Sequence, residues 1–276
     1  MRAIVSLTVP EGKRLIARAI SQMPEIRHAR EMGKILLKGG TTVSALAEEL
    51  VGVPMRISGR VTPRGLKSSD VAGSAPHSML VVGAEWRNID DEMLKVVESL
   101  GAGDVVVIGA NAIDAYGGAA MFAGAPLGGN PGLVMTGMMV EGPMVIVAAG
   151  LEKLIPGRLC DAVQVAGRKR IDISMGMSVG LMPIFGRVVT EVDAFKLLAP
   201  VDCQVIGRGG IAGAEGSTAF VLSGEESDVK RLFRLALELK GATTSGAPDS
   251  LVECVEASSR CRGHRACIYR SPKLLE

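Results

Sequence analysis

The run Lys38-Gly39-Gly40-Thr41-Thr42 is the segment whose residue types point most directly to chemistry. It follows a short apolar stretch and opens a helical pattern. Adjacent glycines let backbone N–H groups turn inward as a nest, and the following helix adds free N–H groups and the positive end of its dipole. Two hydroxyls supply further donors. A phosphate or carboxylate fits such a turn. The alternative is a tight turn in which a threonine caps the helix.

A second candidate is the run from Gly109 to Gly118, which includes Asn111 and Asp114. It leaves the carboxyl end of a strongly apolar run, which is where open α/β sheets bind ligands. Asn111 offers an amide. Asp114 offers a carboxylate that can act as a general base or hold ligand hydroxyls. The competing reading is an Asx turn, with Asp114 bonded to its own loop. Gly128, Gly129 and Asn130 continue the loop and are expected to form one wall. Arg56, Arg60, Arg64 and Lys67 make a basic cluster in an irregular stretch. Arg60 and Arg64 are its candidates for gripping an anion with two hydrogen bonds, against a solvated loop. Arg168-Lys169-Arg170 reads as surface. Glu152-Lys153 reads as a site pair or a helix start.

Cys254, Cys261 and Cys267 lie close together, with His264 between the last two. Metal sites usually contain tighter pairs such as C-x2-C, so these read first as reduced thiols, with zinc or an iron–sulfur cluster as the alternative. Cys160 or Cys203 would complete a ligand set only if the fold brought it near. No cofactor is expected.

The elements that must position these groups follow from periodicity. Residues 3–9 read as a strand and 11–23 as a helix. Val43, Leu46, Ala47, Leu50 and Val51 recur on one helical face, and Gly52 is a C-terminal stop. Met79–Val82, Val105–Ile108 and Met144–Ala148 read as strands, and 90–100 as a helix. Val105–Ile108 is β-branched and unbroken, typical of a parallel strand covered on both faces. The apolar stretch 133–151 reads as buried strands, and 163–173 as strand-rich. Beyond residue 186, strands at 188–189, 203–207, 218–222 and 251–255 alternate with helices at 193–198 and 229–236. That order is the split βαβ of a ferredoxin-like unit. The expected fold is therefore α/β: a Rossmann-like, mostly parallel sheet with helices on both faces over residues 1–185, plus a ferredoxin-like α+β subdomain over 186–276.

Composition narrows the function. The chain has 276 residues, enough for a sizeable core, with 31 basic and 29 acidic side chains. That balance argues against general nucleic-acid binding. Aromatics are 3%, too few for a base-stacking platform. Mean hydropathy is +0.31, yet there is no apolar run of about 18 residues, so no membrane span is expected. The N-terminus lacks a signal-peptide pattern, which points to the cytoplasm. The apolar excess with few aromatics suggests a homo-oligomer.

Two stretches resemble the superfamily of ribose-5-phosphate isomerase, glucosamine-6-phosphate deaminase and the CoA transferases. Residues 35–50, Ile-Leu-Leu-Lys-Gly-Gly-Thr-Thr-Val-Ser-Ala-Leu-Ala-Glu-Glu-Leu, resemble its first phosphate-binding turn and the similar turn of DeoR-type sugar-phosphate sensors. Residues 106–118 resemble the Gly-Ala-Asp strand end of the isomerases and the Gly-Ala-Asn-Ala-Ile run of the lactate-utilisation branch. The resemblance implies a pocket for a small anionic metabolite at these turns. It also implies a difference: isomerases place a functional Asp where this chain has Asn111, and an acidic residue where it has Ile108. Three readings follow. The first is an isomerase- or transferase-like enzyme with Asp114 as acid/base. The second is a non-catalytic sensor of the same fold. The third is a metal protein using the C-terminal cysteines.

Overall fold

The computed structural model describes residues 1–68, 75–253 and 264–276, with the backbone alone for Asn130 and Leu133. In chain order the strands and α-helices are β1 (Arg2–Leu7), α1 (Val9–Ser21), α2 (Pro24–Met32), β2 (Ile35–Lys38), α3 (Thr41–Val51), β3 (Arg60–Thr62), β4 (Gly65–Lys67), β5 (Ser78–Val82) and β6 (Glu85–Asn88). There follow α4 (Met93–Glu98), β7 (Val105–Gly109), β8 (Ala112–Ile113), β9 (Ala119–Ala123), α5 (Gly129–Val140), β10 (Met144–Ala148), α6 (Leu159–Val165) and β11 (Gly180–Ile184). The last are β12 (Arg187–Val189), α7 (Glu191–Leu198), β13 (Asp202–Gly209), β14 (Ser217–Ser223) and α8 (Glu226–Glu238).

The molecule is a mixed α/β protein built on a six-stranded sheet of order β12-β10-β7-β2-β5-β6. β12, β10, β7 and β2 run parallel, while β5 and β6 are antiparallel additions. Alternation along the strands divides the core. Ile35, Leu37, Val105 and Val107 face one apolar cluster with α1, α2, α3 and α7. Leu36, Val106 and Ile108 face the other, with Met93 and Val96 of α4 and Val134 and Met138 of α5. Successive side chains of a strand point to opposite faces, so a strand apolar at every position must be covered on both.

α3 forms where its periodicity placed it, and Gly52 ends it in the left-handed region at φ 72°. Three expectations change. The stretch 133–151 holds α5 as well as β10, because its glycines and methionines bury one helical side against α4. Residues 163–173, expected to be strand-rich, contain the end of α6 and turns. The ferredoxin-like order is also not what forms. β12 joins the main sheet, and β13 and β14 pair instead with β1 in a three-stranded antiparallel sheet, β1-β14-β13. Pro248–Leu251 is a 3-10 turn, not the start of a strand, and the rest of that expected strand beyond Glu253 lies outside the described residues. The cause is long-range pairing: β1 offers a full edge to β14, which no local pattern near β14 announces. Phe195 and Phe220 meet edge to face at 5.5 Å between α7 and β14.

No helix of the described residues is long and apolar enough to cross a membrane.

Candidate functional site

Because β2, β7, β10 and β12 are parallel, their carboxyl ends share one edge. A cleft of about 710 Å³ opens there. Lys38 to Thr42, Gly109 to Asn111, and Ala148 and Ala149 line it from three successive strands. Gly128 and Gly129 bring in the start of α5.

The Gly39-Gly40 turn is shaped by its neighbours. Gly39 donates its N–H to the His77 carbonyl at 2.7 Å. A Cβ on Gly39 would lie 2.4 Å from His77 Nδ1, so a larger residue forces the turn or His77 to shift. Gly40 is the N-cap residue of α3, and no side chain caps the helix. Thr41 and Thr42 are its first two helical residues. The threonine cap is thus not what forms; both residues line the cleft instead. α5 starts at a second glycine turn, with Gly128 and Gly129 at φ 77° and 64°. Two helix N-termini therefore open on one cleft with their partial positive charge; at α5 the Gly129 N–H is taken by the Pro126 carbonyl and Pro131 carries none.

Lysines add full charge. Lys38 is 4% exposed and lines the cleft. Burial draws its amine pKa down to about 8, partly countered by Asp90. Lys13 of α1 and Lys153, just past β10, line the cleft as well. Lys13 pairs with Glu152 at 3.1 Å and Lys153 lies 3.9 Å from the same oxygen. Burial, and the charge of Lys13, hold Lys153 below the ordinary lysine range. Beneath them Glu152 Oε2 and Glu191 Oε1 lie 2.1 and 2.9 Å from where a Cβ on Gly150 would sit, so the two carboxylates are neighbours. Burial first, and then Glu152, push the Glu191 pKa up to about 7.

His77 also lines the cleft. Its Nδ1 is 3.0 Å from the Arg56 carbonyl, and burial followed by the charge of Lys38 lowers its pKa to about 4. The ring is neutral at pH 7. Asp90 braces the turn from behind. Its carboxylate accepts from His77 N–H, Ser78 N–H and Arg56. Those bonds outweigh burial and hold its pKa below the usual carboxylate range.

The expected site residues divide. Lys38, Gly39, Gly40, Thr41, Thr42, Gly109, Asn111, Gly128, Gly129 and Arg60 come together on the cleft. Asn111 is also tied to β9, its Oδ1 accepting the Phe122 N–H at 2.9 Å. Arg60 donates to the Val252 carbonyl. Arg64 does not line the cleft; its guanidinium lies over the Tyr269 ring at 4.2 Å. Asn130 stands at the start of α5. Asp114 requires correction as an acid/base. It is outside the cleft lining, and its carboxylate accepts the N–H groups of Leu159, Gly118 and Tyr116 at 2.8 to 2.9 Å. The Leu159 bond leads in lowering its pKa. It is the Asx anchor of the loop.

Lys13, His77 and Met177 line the cleft without any local signal in the sequence, and His264, expected beside the C-terminal cysteines, lines it too. Lys153 had one: it follows a buried strand in the same sense as Lys38 ends one. Cys254 and Cys261 lie outside the described residues, and Cys267 is buried. Among the described residues no group of three or more metal-ligating side chains forms. Comparison with models of protein families, with curated proteins and with solved structures returned no match.

Proposed function

We propose that the cleft binds a small anionic metabolite, phosphorylated or carboxylate, and that the protein is an isomerase- or transferase-like enzyme acting on it. The observation that carries this reading is the convergence of two helix N-termini with Lys13, Lys38 and Lys153 at the carboxyl edge of the parallel strands. Such N-termini bind phosphate and carboxylate through backbone N–H groups and dipole together. The same reading takes the sheet as Rossmann-like, on the strength of its four parallel strands, and keeps the resemblance to the sugar-phosphate isomerase superfamily at residues 35–50 and 106–118. It places the protein in the cytoplasm as a homo-oligomer.

With Asp114 engaged in its loop, an enzyme here draws its proton chemistry from the cleft, where the Lys38 amine is available. A sensor of the same fold is the second reading, favoured by Asn111 standing where isomerases use an acid. Turnover of any bound compound separates the two.

The test is thermal unfolding with inorganic phosphate, phosphosugars and small carboxylates. Ligand at 100 times its Kd adds about 2.7 kcal/mol, or roughly 5–10 °C for a chain of this size. Thr41→Val with Thr42→Val should abolish the shift. A shift that survives this double substitution places the anion elsewhere.

A further inference from the structure

Lys38 has unusual surroundings for a lysine whose task is to supply charge. Lys13 and Lys153 each face the Glu152 carboxylate. The Lys38 amine makes no side-chain hydrogen bond or ion pair with the described residues, and the residue, 4% exposed, lines the cleft. The nearest carboxylate influence is Asp90, whose oxygens are already taken by Arg56, His77 N–H and Ser78 N–H. The start of α3, three residues on, presents the positive end of its dipole. Burial, a positive dipole and the lack of an ion-pair partner among the described residues all favour the neutral amine.

A neutral, desolvated lysine amine is a nucleophile towards carbonyl carbon. We propose that Lys38 forms an imine with the carbonyl group of the bound metabolite, whose class is therefore an aldehyde or ketone carrying a phosphate or carboxylate. The proposal rests on the anion-binding reading of the same cleft. The lone pair of Nζ attacks the carbonyl carbon, and the carbonyl electrons move to oxygen. That oxygen takes up two protons, in net both from the amine, and leaves as water. The C=N bond replaces the C=O bond, and no oxidant or reductant is consumed. The anion stays between the helix N-termini and Lys13 and Lys153, which fixes the carbonyl end against Lys38. The lowered amine pKa, about 8, agrees with this role.

Pyridoxal 5′-phosphate is a suitable probe, since it carries both an aldehyde and a phosphate. The full chain is incubated with it near pH 7.5, treated with borohydride, digested and mapped by mass spectrometry. At that pH an amine of pKa near 8 is about two hundredfold richer in the neutral form than an ordinary lysine. Labelling at Lys38 should exceed that at exposed Lys230 and Lys273 by roughly tenfold or more, should be suppressed by inorganic phosphate, and should rise through a midpoint near pH 8. Labelling confined to surface lysines, while inorganic phosphate still raises the melting temperature, overturns the imine and leaves the anion site standing. Labelling at Lys38 with no effect of phosphate on either rate or melting upholds the imine and removes the anion-binding reading instead.

Discussion

Gly39 and His77 interlock: the glycine donates its N–H to the His77 carbonyl at 2.7 Å, and a Cβ on it would lie 2.7 Å from that oxygen and 2.4 Å from Nδ1. The β2 turn and the residue before β5 therefore set one another's position. Since Lys38 precedes this glycine and α3 follows it, the cleft-lining groups of this turn depend on the contact.

Gly39→Ala tests it. The methyl group meets a backbone carbonyl, which cannot swing aside as a side chain can. Overpacking of this kind costs about 1–3 kcal/mol. Urea denaturation should show that loss, and the melting shift with inorganic phosphate should shrink with it. Unchanged stability would show that the turn tolerates displacement and that Gly39 is not what shapes the site.

Glu191 makes a pH prediction. Its folded pKa of about 7 lies above the ordinary value of 4.5. Below pH 4.5 both states are protonated and the group is neutral to stability. As pH rises towards 7 the unfolded chain gives up the proton while the folded one keeps it, so stability falls. The loss levels off above pH 7 at about 3 kcal/mol. His77, lowered to about 4, acts in the opposite sense between pH 4 and 6.5, so the difference between two proteins is the useful quantity. Glu191→Gln retains an acceptor for the Leu151 N–H, which Glu191 Oε2 binds at 2.8 Å. Its stability relative to the parent should grow from pH 4.5 to 7 in denaturant titrations. A pH-independent difference would mean that folding does not raise the Glu191 pKa.

Asp114→Asn separates loop anchoring from chemistry. The amide keeps one acceptor oxygen where the carboxylate serves Leu159, Gly118 and Tyr116 N–H groups. Losing part of that set should cost about 1 kcal/mol, or roughly 2–4 °C of melting temperature. The shift produced by inorganic phosphate should be retained. Loss of the phosphate response in a variant of near-parental stability would return Asp114 to the binding site.

How much was legible in advance differs along the chain. The turn from β2 into α3 was legible because both its signals are local: an apolar run of strand length, then glycines, then residues recurring at helical spacing. So was the strand at Val105–Ile108, whose unbroken β-branched run requires cover on both faces. Asp114 was local too, and its two roles had the same sequence signature. Only the direction of its carboxylate, towards the N–H groups of Leu159 and Gly118, distinguished them.

The sequence by itself therefore determined the α/β character, the glycine turns and the edge of the sheet on which the cleft opens, since each depends on residues adjacent in the chain. Tertiary structure alone decided that β1 joins β14, that His77 closes on Gly39, and that Lys13, from the first helix, meets Lys153 and Glu152 at the cleft. These are contacts across long stretches of chain. Their energy comes from pairing, burial and charge between groups that no short-range pattern relates.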